Sequence, residues 1–135
     1  RAVEVAAEHV AKRRSVKNQT TYSNDPDIRW RIAEAALSMN AVGPQIRELA
    51  RDIDEGVDRG RSWMPQLSAA KNAAAEATLR TVEQAMRACG GSAYYNTHEL
   101  SRLYRDALAG LFQPSDQESL HAAWANLILG PIEKA

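Results

Sequence analysis

Neither sign of charge predominates in this chain: 17 Lys and Arg residues offset 17 Asp and Glu. Without a basic surplus there is no electrostatic footprint for nucleic acid or for an anionic membrane surface, and neither is expected as a partner. Cysteine is nearly absent. The single Cys89 excludes an internal disulfide and fits a reducing compartment, and no segment reads as a signal peptide, so a cytoplasmic protein is expected. Long apolar runs are also missing, since nothing approaches the ~20 residues that a membrane span needs. Asn18-Gln19-Thr20 spells a glycosylation sequon, which carries no weight without secretion. An initiator Met is lacking, and Arg1 to Arg13 is already a helical pattern with no capping residue before it. This start suggests a segment of a longer protein. A chain of 135 residues is one domain by length, able to bury roughly 68% of its unfolded surface.

What is present is helical periodicity. Ile28, Ile32, Ala35, Met39, Val42, Ile46, Leu49 and Ile53 alternate steps of four and three, a heptad seam suited to long helices packed at shallow angles. Asp25 can cap this helix and Pro26 suits its first position. Pro44 should kink it, because proline removes a hydrogen bond and crowds the carbonyl of Asn40. The seam keeps its phase, so one helix over Pro26–Arg59 is expected. After a break at Gly60 to Met64, a second long helix is expected over Pro65–Cys89. It carries one stripe of Ala75, Leu79, Val82, Met86 and Cys89, and a small-residue stripe of Ala70, Ala74, Ala77 and Thr81. Gly90 supplies a helix stop. Asn96 with Glu99, and Ser115 with Glu118, read as capping pairs for two further helices, the last ending at Gly130-Pro131. The pattern predicts five helices and no strand: an all-α, antiparallel up-and-down bundle.

The segment from Cys89 to Asp106 joins two of these helices through Gly90-Gly91 and a short aromatic loop. Gly90, Gly91, Tyr94, Glu99, Arg102, Leu103, Tyr104, Arg105, Asp106 and Ala107 together resemble the joint between the last long helices of the acyl-CoA dehydrogenase superfamily. That resemblance implies that residues 1–135 are the C-terminal helical bundle of a larger flavoenzyme. Its partners would be its own N-terminal helical and β-domains, further copies in a homotetramer, and a small-molecule or acyl-CoA substrate. The cofactor would be FAD or FMN, held between this bundle and the β-domain.

The resemblance also suggests binding residues. Arg13 matches a family arginine that reaches a flavin phosphate, and Ser15 can supply the accompanying hydroxyl, although Val16 and Lys17 depart from the family's Phe and Gly. A guanidinium is chemically suited to phosphate oxygens; a basic helix end is the plainer reading of the same residues. Gly90-Gly91 would let backbone pass close to a bulky ligand. Arg87 stands where family members often have Gln, and Tyr94, Tyr95 and Tyr104 could line a pocket.

Where dehydrogenases of this family place the Glu that removes the substrate's alpha proton, Pro114 occurs. Where the related flavin-dependent hydroxylases place a His, Gln113 occurs. A glutamine amide can donate a hydrogen bond to developing negative charge but cannot exchange a proton at neutral pH. The run Leu111 to Asp116 resembles the hydroxylase-like branch more, making Gln113 the candidate catalytic residue and a monooxygenase-like oxidoreductase the expected function. A dehydrogenase with its base elsewhere, or a helical assembly module without catalysis, remains the alternative. No metal site is expected. Glu118 and His121 form one E-x-x-H pair, whereas diiron bundles need two plus further Glu residues. His9 and His98 lack partners in sequence, and Cys89 reads as core.

Overall fold

In the computed structural model, residues 1–17 and 19–133 are described, so Asn18 of the sequon and residues 134–135 lie outside them. The described residues form five α-helices: α1 (Ala2–Lys12), α2 (Pro26–Asp54), α3 (Trp63–Cys89), α4 (Glu99–Phe112) and α5 (Gln117–Leu129). Among the described residues there is no strand, only an isolated bridge between Arg14 and Thr21. The all-α expectation holds.

Helix α2 starts as expected. The Asp25 carboxylate accepts from the amides of Asp27 and Ile28 at 2.9 and 3.3 Å, with Pro26 in the first turn. Pro44 lies inside the helix without ending it. The helix ends five residues before Arg59, the expected boundary. Gly56 takes φ +67°, its amide bonds Ile53 O at 3.2 Å, and the Val57 amide bonds Asp52 O at 2.8 Å. This is a Schellman stop built on a glycine the apolar seam had hidden. Arg59 then fastens the turn, binding Asp52 and Glu48 of α2 and Gln66 of α3, with its guanidinium over the Trp63 ring, 5.7 Å from the centroid. Helix α3 accordingly begins at Trp63, two residues before the expected Pro65.

Helix α3 is the centre of the bundle and touches each of the other four. Arg31 bonds Gln84, Glu34 pairs with Arg80, Ala35 O accepts from Thr81, and Met39 meets Thr78. As the α2 number rises the α3 number falls, so the two run antiparallel. Ala70, Ala77 and Thr81 of the small-residue stripe are buried, which lets the backbones approach closely. Of the heptad seam, Ala35, Val42 and Leu49 are buried against this surface, while Met39, Ile46 and Ile53 remain exposed.

Helix α4 runs back along α3, from Leu100 in the cluster with Val82, Ala85 and Cys89 to Gly110, where a Cβ would lie 3.1 Å from Ala75 Cβ. The bundle departs from strict up-and-down order at its end. Asn72 bonds Ser115 O and the Trp124 indole bonds Pro65 O, so contacts move to lower α3 numbers as α5 advances. Helix α5 therefore continues the sense of α4. The starting caps of both helices also differ from expectation. His98 Nδ1 accepts from the Leu100 amide, while Asn96 accepts from Arg105 and Glu99 binds Arg1. At α5 it is Asp116, not Ser115, whose carboxylate accepts from the Ser119 amide at 2.8 Å.

Candidate functional site at the α1–α3 corner

The end of α1 meets the end of α3. Arg13, which follows the last turn of α1, donates through Nη1 to Cys89 O at 2.9 Å and lies 3.4 Å from Ser92 Oγ. Its guanidinium stands over the Tyr22 ring, 5.0 Å from the centroid, and its carbonyl accepts from the Tyr22 amide. Both polar contacts use Nη1, which leaves Nε and Nη2 able to donate to an anion. Ser15 follows in a tight excursion closed by its own amide on Thr20 O at 2.8 Å.

The two glycines at this corner differ. Gly90 takes φ +71° and ψ −159°, a conformation that L side chains rarely adopt, so the turn itself requires glycine. Gly91 has no positive φ, and a Cβ on it would meet no atom within 4 Å. It is exposed, and nothing in the fold requires a glycine there. The structure thus brings Arg13, Gly90 and Ser92 together. Arg87 instead lies on the exposed side of α3, bonded to Glu83 one turn earlier at 2.6 and 2.9 Å.

Gln113 caps the far end of α4. Lys71 Nζ donates there to the carbonyls of Gly110 and Gln113, both at 2.7 Å, and of Ser115 at 3.0 Å. The ammonium thus collects carbonyls at and just beyond the end of α4, at the negative end of its dipole. Gln113 and Pro114 are both exposed. Tyr94, Tyr95 and Tyr104 line one open cavity of about 400 Å³ with Met86 and Arg105, so the three tyrosines do share a surface.

One sequence expectation is overturned at this corner. His9 and His98 are not without partners: their rings meet edge to face at 5.7 Å, and their nitrogens lie within 4.8 Å of each other and of Cys89 Sγ. Burial, helped by Arg13 and His98, pushes the His9 pKa below its ordinary value. Cys89 is core as expected, fully buried, and burial pushes its thiol up to about 11. No pattern could have announced this trio, because 80 residues separate His9 from Cys89. Glu118 and His121, in contrast, are both exposed, and His121 Nδ1 contacts Gln117 O on its own helix.

Comparison with known proteins decides the family. The acyl-CoA dehydrogenase C-terminal domain matches residues 1–112. The chain belongs to this family. A Bacillus subtilis (strain 168) protein, YdbM, named provisionally as an acyl-CoA dehydrogenase, is 33% identical over 91 residues. That alignment covers 67% of this chain and 24% of YdbM, so the chain spans about a quarter of the relative it matches. Acyl-CoA dehydrogenases are in general flavin dependent, and in that family the C-terminal domain is one of several. The family match stops at Phe112, one residue before Gln113. No helix of the described residues is long and apolar enough to cross a membrane.

Proposed function

We propose that this domain forms one wall of the flavin site and part of the oligomer interface of an acyl-CoA dehydrogenase-like oxidoreductase. The observation that carries the reading is Gly91. Its φ is not positive and a Cβ there would meet no atom within 4 Å, so the open side of Gly91 leaves room for a bulky group to pass close to the backbone. Arg13 is suited to a flavin phosphate, with two nitrogens left to donate, and Ser15 and Gly90 flank the same corner. Arg87 is a weaker candidate because Glu83 already holds its guanidinium. Bound flavin would supply the electron-transfer chemistry; the residues of this chain would bind and orient it. FAD is the family's usual flavin, and the corner's donors suit FMN equally.

The experiment is Gly91→Ala in the intact protein. Thermal stability should be unchanged, because the added methyl has room, while flavin affinity should fall at least tenfold. Unaltered flavin affinity in the folded variant overturns the reading.

For the reaction itself we favour a monooxygenase-like chemistry. Gln113 and Pro114 offer no group to remove an alpha proton, and general-base catalysis typically contributes about 100- to 10,000-fold. Acyl-CoA dehydrogenation by the intact protein, assayed with an artificial electron acceptor, should be slow by about that factor. Robust turnover that survives Gln113→Ala contradicts this choice and returns the protein to the dehydrogenases proper. A protein that binds no flavin and turns over neither class of substrate is the assembly module instead.

A further inference from the structure

We propose that His9, Cys89 and His98 form a binding site for a borderline-soft divalent metal ion of the zinc type, at the same α1–α3 corner that carries the proposed flavin contacts. The three residues come from three elements whose ends converge: the last turn of α1, the final residue of α3 and the residue that caps α4. Their ligand atoms all lie within 4.8 Å of one another. A thiolate with two imidazoles is a donor set that selects zinc-like ions over magnesium or calcium. Zinc bonds of about 2.3 Å to sulfur and about 2.0–2.1 Å to nitrogen put tetrahedral ligand atoms ~3.3–3.6 Å apart. The trio must therefore contract by roughly 1 Å, within reach of small imidazole rotations. His9 Nε2 lies 3.4 Å from Ser92 Oγ, a long contact that the metal would replace.

Charge and protons constrain the site further. Each metal ion that binds displaces one proton from the Cys89 thiol, and the thiolate then balances one of the ion's two charges. The Arg13 guanidinium, bonded to Cys89 O, opposes a dication and limits affinity. His98 adds a structural consequence. Its Nδ1 now accepts the Leu100 amide at 3.2 Å. If Nδ1 takes the metal, that lone pair is used; if Nε2 takes it, the ring proton moves to Nδ1. Either way the Leu100 amide loses its acceptor. Metal binding uncaps α4.

The test is titration of the metal-stripped intact protein with Co²⁺, followed by displacement with Zn²⁺. The expected result is one ion per chain with tetrahedral ligand-field bands, a thiolate-to-cobalt transition, release of one proton, and faster hydrogen exchange at the Leu100 amide. Cys89→Ala should abolish the thiolate transition. His9→Gln should weaken binding at least tenfold, and it carries the test if Cys89→Ala fails to fold. His121→Gln, on the remote α5, should bind as the parent does. Binding only at millimolar metal, no thiolate transition, or undiminished binding by His9→Gln each overturns the site.

Discussion

At the scale of single residues, the α1–α3 corner is built from groups whose ordinary properties are altered by where they sit. Cys89 has no exposed surface, so its thiol stays protonated and sheltered. Native protein should resist alkylation at neutral pH and react fully once unfolded, read by mass spectrometry. Burial raises the folded-state pKa from 9.0 to about 11. The unfolded chain then loses its proton first, so this contribution is fully present below about pH 9 and is lost as pH rises to about 11. Denaturant melts across that window should show the loss in the parent and a smaller one in Cys89→Ala. The sequence showed Cys89 as core and Gly90 as a stop, because each acts through local pattern. It could not show Arg13 reaching the Cys89 carbonyl or His9 meeting His98. Such meetings depend on how two helix ends are placed, and no spacing encodes that. Gly91 became informative only when its φ and its open surroundings separated it from Gly90.

At the scale of elements, periodicity located all five helices but erred at their ends. The seam carried α2 on past Asp54, since Ile53 still fits the heptad, while Gly56 and Val57 closed the helix through backbone bonds. Histidine is not a usual N-cap, so Asn96 looked the better start for α4 until the ring of His98 was found on the Leu100 amide. Lys71 was silent in sequence because its partners are three carbonyls about 40 residues away. Its ammonium ties the 110–115 turn to α3, and Lys71→Met keeps the stem while removing the donor. That variant should lose about 1–3 kcal/mol of unfolding free energy, because carbonyls lose a charged partner. Hydrogen exchange should rise from Gly110 to Ser115. Unchanged stability and exchange would show that water replaces the ammonium at no cost.

At the scale of the whole molecule, the bundle buries few large side chains. Among the described residues, Leu100 and Cys89 are the largest side chains that are fully buried, while Trp30, Met64, Phe112, Ile128 and Leu129 are all more than half exposed. The exposed Met39, Ile46 and Ile53 of the heptad seam belong to the same pattern. Periodicity marks residues that face something apolar, but not whether that partner lies in the same chain. In a multidomain, typically oligomeric family such partners can lie in other domains or copies, and contiguous exposed apolar surface favours association. Sedimentation of the 135-residue chain should accordingly show self-association that grows with concentration, and a strict monomer at high concentration would contradict the assembly role. The central claim is that the Arg13 and Gly90-Gly91 corner faces flavin. Hydrogen–deuterium exchange of the intact protein with and without bound flavin tests it most directly. Bound flavin should slow exchange in residues 13–15 and 89–92 together; full flavin binding that leaves both segments exchanging as before would contradict a flavin-facing corner.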